Sequence, residues 1–332
     1  MTFENLAKLT HATLLNEPFV SSFYDIVFDP HKVKRGDLFI GRDPEDVRIA
    51  LSRDAYAILS DRKLPILDDE IAWLRTASIE QALINLLRYH VMEHELQICY
   101  FDEISLALLQ KIASRERLLF LDGDLQTNFQ TMMRAPERSI FVSSDDNLLS
   151  KINPGYSECL ENEDLVTVKP VKSTLFLSSL HIAGDYFENL KLPALFIPRL
   201  QKVLTFMQKE QIAYDIQRCD FTPLFTPIFI NRDLHIKSFG STPTAIIAVS
   251  SDAILPEVIE YVTTSAPWAK ICTFLPQKRP PDTEIPHYHY TDLSEIGRLK
   301  EIEFNFAIIN DDLQRILQHL KNYVTTEQRF LF

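Results

Sequence analysis

The chain has 332 residues, of which 46% are hydrophobic and 24% charged, and a formal net charge of −12. That balance describes a globular protein long enough for two or three domains. The acidic excess, with no basic stripe, argues against nucleic acid or an anionic bilayer as partner.

No apolar run reaches the roughly 18–20 residues needed to cross a bilayer, and the start Met1-Thr2-Phe3-Glu4 has no basic region of a secretory signal. A cytoplasmic protein is therefore expected. Cys99, Cys159, Cys219 and Cys272 lie far apart in sequence, with no CxxC pair, so buried, reduced thiols are expected. The seven glycines never fall closer than five residues apart. Glycine-rich phosphate loops of the GxGxxG or Walker type and the GxSxG nucleophile elbow are therefore missing.

In chain order, Phe3, Leu6, Leu9, Leu14 and Leu15 form a helical stripe over residues 3–16. A strand over Phe23–Phe28, the turn Asp29-Pro30-His31 and a strand over Leu38–Ile40 follow. Asp43-Pro44-Glu45 opens a helix with a capping acid and Pro at its first position, running to about Arg53. Ala55–Leu59 reads as a strand, and Ser78 caps a helix to about His94.

A second alternation has strands at 96–101, 117–121, 139–142 and 165–168 and helices at 104–114, 126–134 and 145–151. Such alternation implies a parallel sheet covered on both faces. Prolines crowd the stretch 154–286, where strands at 175–180 and 226–230 and a helix at 195–210 are expected. A third alternation closes the chain: strands at 245–249, 270–274 and 304–309, and helices at 253–263, 292–300 and 311–323. The predicted domains are 1–95, 96–235 and 236–332.

The stretch around Val33, Gly36, Asp37, Leu38, Phe39 and Gly41 resembles the N-terminal domain of the Mur ligases. In that family a strand ends in Asp-Ser/Thr-Arg and continues x-Val-x-x-Gly-Asp-Leu-Phe. The resemblance covers about residues 20–95, under a quarter of the chain. It implies an α/β fold: a Mur-ligase-like N-terminal domain followed by two small Rossmann-like parts. By the same resemblance, the N-terminal domain holds the uridine nucleotide of a UDP-N-acetylmuramoyl-peptide, the central one ATP, and the last the incoming amino acid or dipeptide.

Two departures bear on activity. The family's Asp-Ser/Thr-Arg is here Asp29-Pro30-His31, so the hydroxyl and the arginine are missing, and proline offers no N–H. The UDP-sugar candidates are then Asp29, His31, Lys34 and Asp37. Where the family's ATP loop should lie, the chain has Asp122-Gly123-Asp124 and, in the following helix, Thr127. The lysine and second glycine are gone, and two acids stand where phosphates would. The expectation is a non-catalytic protein without a cofactor, binding a UDP-sugar-peptide or a protein of cell-wall synthesis. Two other readings remain: an active ATP-dependent ligase with a divergent nucleotide site, and an α/β binding protein unrelated to the cell wall.

Three further clusters could carry chemistry. Asp122 and Asp124 could hold a divalent cation, though an acidic turn with a helix cap explains them as well. His287 and His289 share one face of an extended segment and could ligate a metal with Glu284 or Asp292, against the plainer reading of a polar strand end. Lys237, Gly240, Ser241 and Thr242 could form an anion-binding nest, against a tight turn. No metal site is expected from the sum of these.

Overall fold

The computed structural model describes residues 1–158, 165–276 and 285–330. The chain divides into two compact units, and among described residues the first comprises 1–102 and 115–158 and the second 103–114 and 165–330.

The first unit opens with α1 (Phe3–Thr10), capped by Thr2 and ended by His11 at φ 51°. The expected stripe over 3–16 is therefore cut short. His11 turns the chain left-handed, and Leu14 joins the two-residue strand β1 (Thr13–Leu14) opposite Leu74. Next come β2 (Ile26–Val27), β3 (Leu38–Ile40), α2 (Pro44–Ser52), β4 (Ala57–Ser60), β5 (Ala72–Arg75) and α3 (Ile79–Glu93). The sheet order is β1-β5-β4-β3-β2, parallel except for β1. Parallel neighbours require a crossover, and α2 supplies it between β3 and β4.

Strand β6 (Gln97–Tyr100) then precedes α4 (Glu103–Ile112), which belongs to the second unit. The first unit continues with β7 (Leu118–Phe120), α5 (Leu125–Met133), β8 (Ile140–Ser143), α6 (Asp146–Ile152) and β9 (Ser157–Glu158). These strands form an all-parallel sheet in the order β7-β8-β6-β9. One core joins both sheets of the unit: Leu83, Leu86 and Leu87 of α3 share it with Leu59 and Leu74 on one side and Phe129, Met132 and Phe141 on the other.

Cys99 of β6 corrects one expectation. It is disulfide-bonded, while Cys219 and Cys272 are free and buried. Distance along the chain does not translate into distance in space here, because β9 pairs with β6 and sets Ser157 opposite Cys99.

The second unit contains the antiparallel sheet β10 (Val168–Ser173), β11 (Ser178–Ile182) and β12 (Asp185–Leu190). The strand expected at 165–168 lies instead at β10. Residue Val166 is held by α7 (Ile197–Lys209): its N–H donates to Thr205 Oγ1 at 2.8 Å and its carbonyl accepts from Gln201 Nε2 at 2.9 Å. Side chains therefore satisfy the backbone that a strand partner would have satisfied.

The remaining elements are β13 (Thr226–Phe229), β14 (Ala245–Val249), α8 (Leu255–Ser265), β15 (Ile271–Pro276), β16 (His287–Tyr290), β17 (Phe306–Asn310) and α9 (Leu313–Phe330). Their sheet has the order β13-β14-β17-β15-β16, parallel apart from the edge strand β13. Strands β14 and β17 are buried at every position, as parallel strands covered on both faces must be. The helix expected at 292–300 is a 3-10 helix over Leu293–Glu301, with Leu293, Ile296 and Leu299 buried. An apolar spacing of three matches the 3-10 repeat and not the α repeat. Overall the chain is a mixed α/β protein, as its alternating pattern implied.

Candidate functional site

Two of the sequence-derived clusters meet in one place. A cleft of about 720 Å³ in the first unit is lined by Asp29, Lys34 and Asp37 from one candidate set and by Asp124 and Thr127 from the other. His31, Asp122 and Gly123 are not part of its wall. Sequence reasoning missed Asp25, Lys32, Arg53, Gln126, Gln130 and Arg134, which also line it.

The β2–β3 connection builds one wall. Asp29 caps the 3-10 turn Pro30–Lys32 by accepting from the His31 N–H at 3.0 Å, and Lys32 pairs with its carboxylate at 3.5 Å. Gly36 follows at φ 94°, where an L side chain is strained. Asp37 is buried to 5% exposure, and its Oδ2 accepts from the Lys34 N–H at 2.9 Å. Its carbonyl accepts from Tyr56 N at 2.9 Å, tying the turn to the start of β4. The Gly-Asp pair thus shapes the wall, and Lys34 and Arg53 present the charge. Arg53 Nε donates to the Val33 carbonyl at 3.0 Å. Among the described residues, neither Lys34 nor Arg53 has a carboxylate within ion-pair distance.

The opposite wall is the N-terminal turn of α5. Asp124 caps it, Oδ1 accepting from the Thr127 N–H at 2.8 Å. Hydrogen bonds from the Thr127 backbone and then its hydroxyl hold the Asp124 carboxyl below the usual range. Asn128 is buried and closes on Gly123 from both sides: its Oδ1 accepts from Gly123 N at 3.2 Å and its Nδ2 donates to Gly123 O at 2.8 Å. The amides that a phosphate loop offers to its ligand are here spent on this chain's own side chains. A Cβ at position 123 would lie 2.8 Å from Thr127 Cβ, so the loop is folded down onto its helix.

Arg134 Nη2 donates to Asp25 Oδ2 at 2.8 Å, joining the end of α5 to the entry of β2. Beyond this pair lies a second cavity of about 290 Å³, which shares Asp25, Gln130 and Arg134 with the cleft and reaches Phe23, Phe129, His90 and His94. Burial first, and the neighbouring His94 second, hold His90 below its ordinary value of 6.5.

The other candidate clusters lie in the second unit. Lys237, Gly240 and Ser241 are exposed, and Thr242 is half-buried. Ser241 donates both N–H and hydroxyl to the Ser238 carbonyl, at 3.1 and 2.8 Å, and the Thr242 hydroxyl donates to the Thr244 carbonyl at 3.1 Å. Those donors serve a turn in which Gly240 takes φ 72°. His287 and His289 lie on β16, with His287 Nδ1 2.8 Å from Thr273 Oγ1. Asp292 is engaged as a helix cap, and Glu284 lies outside the described residues. Among the described residues, no group of three or more His, Cys, Asp or Glu side chains is arranged to hold a metal ion.

No family model and no curated protein matches the sequence. Solved structures do match. MurF from Acinetobacter baumannii (crystal structure I) is 9% identical over 98% of this chain and 98% of that chain, with a TM-score of 0.58. The UDP-N-acetylmuramoylalanyl-D-glutamyl-2,6-diaminopimelate–D-alanyl-D-alanyl ligase from the same organism is 10% identical over 99% and 98%, with a TM-score of 0.55. MurF ligase from Thermotoga maritima in complex with ADP is 13% identical over 91% and 98%, with a TM-score of 0.53. At such identities the likeness is one of fold: the chain has a Mur-ligase-like architecture along nearly its whole length.

Proposed function

We propose that this chain is a Mur-ligase-like protein of peptidoglycan-precursor metabolism. In this reading it binds a UDP-N-acetylmuramoyl-peptide in the cleft around Lys34 and Arg53 and carries out no ATP-dependent ligation. The single observation carrying the proposal is the closure of the α5 loop. Asp124 and Asn128 use the backbone groups a nucleotide phosphate needs, and the loop itself carries no lysine. Phosphoryl chemistry rests almost wholly on positioning and on neutralising charge, and this loop offers two acids instead. The fold likeness to ligases whose substrate is named as a UDP-N-acetylmuramoyl-peptide supports the substrate class.

On the binding side, Lys34 and Arg53 supply positive charge with no carboxylate at ion-pair distance among the described residues, suited to a diphosphate. Asp29 and Asp37 are occupied in turn geometry: Asp29 caps the turn at His31 and pairs with Lys32, and Asp37 holds the Lys34 backbone in place. His31 stands outside the cleft wall and contributes nothing direct. Among the described residues no helix is long and apolar enough to cross a membrane.

The test is thermal unfolding with UDP-N-acetylmuramoyl-tripeptide, UDP or Mg-ATP. A ligand at 100-fold over its dissociation constant adds about 2.7 kcal/mol. The UDP ligands are expected to raise the midpoint and Mg-ATP to leave it unchanged, with Lys34→Gln/Arg53→Gln abolishing the rise. ATP-dependent peptide ligation by the natural protein would overturn the non-catalytic reading. Silence from both UDP ligands would overturn the substrate.

A further inference from the structure

The C-terminal turn of α3 carries His90, Glu93 and His94 on the wall of the 290 Å³ cavity. Residues four apart lie on the same helix face, and the two imidazole rings stand with centroids 4.5 Å apart. Bonds of about 2.0–2.1 Å from metal to nitrogen bring two imidazoles bound side by side to roughly that centroid separation. Each ring also has a polar neighbour. His90 hydrogen-bonds the backbone at Met132, and His94 Nε2 lies 3.8 Å from Glu93 Oε2. Glu93 is itself steadied by the Tyr89 hydroxyl, which donates to Oε1 at 2.9 Å. The hydrogen bond at His90 fixes the tautomer of that ring, while Glu93 stands within ion-pair distance of His94 but beyond hydrogen-bond reach.

We propose that His90 and His94 form an open binding site for a divalent transition-metal ion, with water completing the coordination. Paired imidazoles suit nickel, copper or zinc and not magnesium or calcium, which want oxygen. A plainer role, two histidines finishing a helix, accounts for their position near the helix C-terminus. It does not account for the two rings meeting on one cavity wall at a separation that fits a shared ion. With two protein ligands the ion stays exchangeable and exposed to solvent, so the site is one for binding and release and not for holding the fold together. The site is independent of the cleft chemistry proposed above and stands or falls without it.

Calorimetric titration of the untagged, full-length protein with nickel or zinc chloride tests this, beside His94→Gln, His90→Gln and the control His31→Gln. The expected result is one ion per chain, binding at least tenfold weaker in either of the first two variants and unchanged in the control. The copper(II) complex should also show magnetic coupling to two ring nitrogens. His94 is exposed, so its replacement leaves the fold standing, which a melt without metal verifies. Absence of saturable binding, or wild-type affinity in His94→Gln, would overturn the proposal.

Discussion

Asn128 grips Gly123 by both backbone groups, accepting from its N–H at 3.2 Å and donating to its carbonyl at 2.8 Å. Asn128 is 2% exposed, so the grip is shielded from water and neither bond is easily replaced. Removing the amide in Asn128→Ala leaves Gly123 unpaired and should cost about 1–3 kcal/mol, read as a lowered urea midpoint. The same variant should gain no affinity for Mg-ATP, because the cation is still missing and Asp124 still caps Thr127. ATP binding by Asn128→Ala would mean that the clamp alone had been excluding the nucleotide.

The turn before β3 makes a second prediction. Gly36 holds φ 94°, donates to the Asp54 carbonyl at 3.0 Å and accepts from Tyr24 N at 2.9 Å. An added Cβ would sit 2.3 Å from Tyr24 Cδ2, but Tyr24 is largely exposed and its ring can swing away. Backbone strain therefore decides the outcome. Gly36→Ala should destabilise by about 1–3 kcal/mol and weaken ligand binding through Lys34. Chemical denaturation gives the first and the UDP-ligand thermal shift the second.

This turn also marks how much the sequence disclosed. The Gly-Asp-Leu-Phe run was legible because it is local: a positive φ, a buried cap and a strand within six residues. The cleft was legible only in halves. Lys34 and Asp124 could each be singled out, but nothing in the sequence put them on facing walls, since that depends on α3 packing both sheets into one core. Arg53 and Arg134 were missed because each sits just past a helix end, with nothing in its local sequence to mark the cleft it lines. The antiparallel sheet of β10–β12 was obscured because its outer strands are mostly exposed and polar. The 3-10 helix at 293–301 could have been read from its strict spacing of three.

A pH dependence follows from Asp61. Its carboxylate accepts from Arg42 Nε at 2.8 Å and Nη2 at 2.7 Å. The Arg42 hydrogen bonds, opposed in part by burial, hold it below the ordinary value of 3.8. A folded value beneath the unfolded one means that the pair's stabilisation is complete above 3.8 and fades as pH falls through the lower folded value. Asp61→Asn should therefore lose about 1 kcal/mol at neutral pH. The gap to wild type should close only below 3.8, as measured by urea midpoints across an acid series. A gap that is constant down through that range would mean that the carboxylate's charge is not what stabilises.

The buried thiols of Cys219 and Cys272 make the opposite prediction at high pH. Burial pushes both Cys219 and Cys272 up from 9.0 to about 12, with the neighbouring Asp220 adding to the shift at Cys219. Only the thiolate is nucleophilic, so neither side chain should react with iodoacetamide in the folded protein at pH 8, while both should react in urea. The linkage sign also follows. Between 9.0 and about 12 the unfolded thiols ionise and the folded ones do not. The unfolded state therefore gains about 1.4 kcal/mol per thiol for each pH unit in that window. Stability should be insensitive to these groups below pH 9 and fall above it, and Cys272→Ala should flatten part of that fall. Fast alkylation of Cys272 in the native state would instead mean that the sheet around β15 opens locally, without global unfolding.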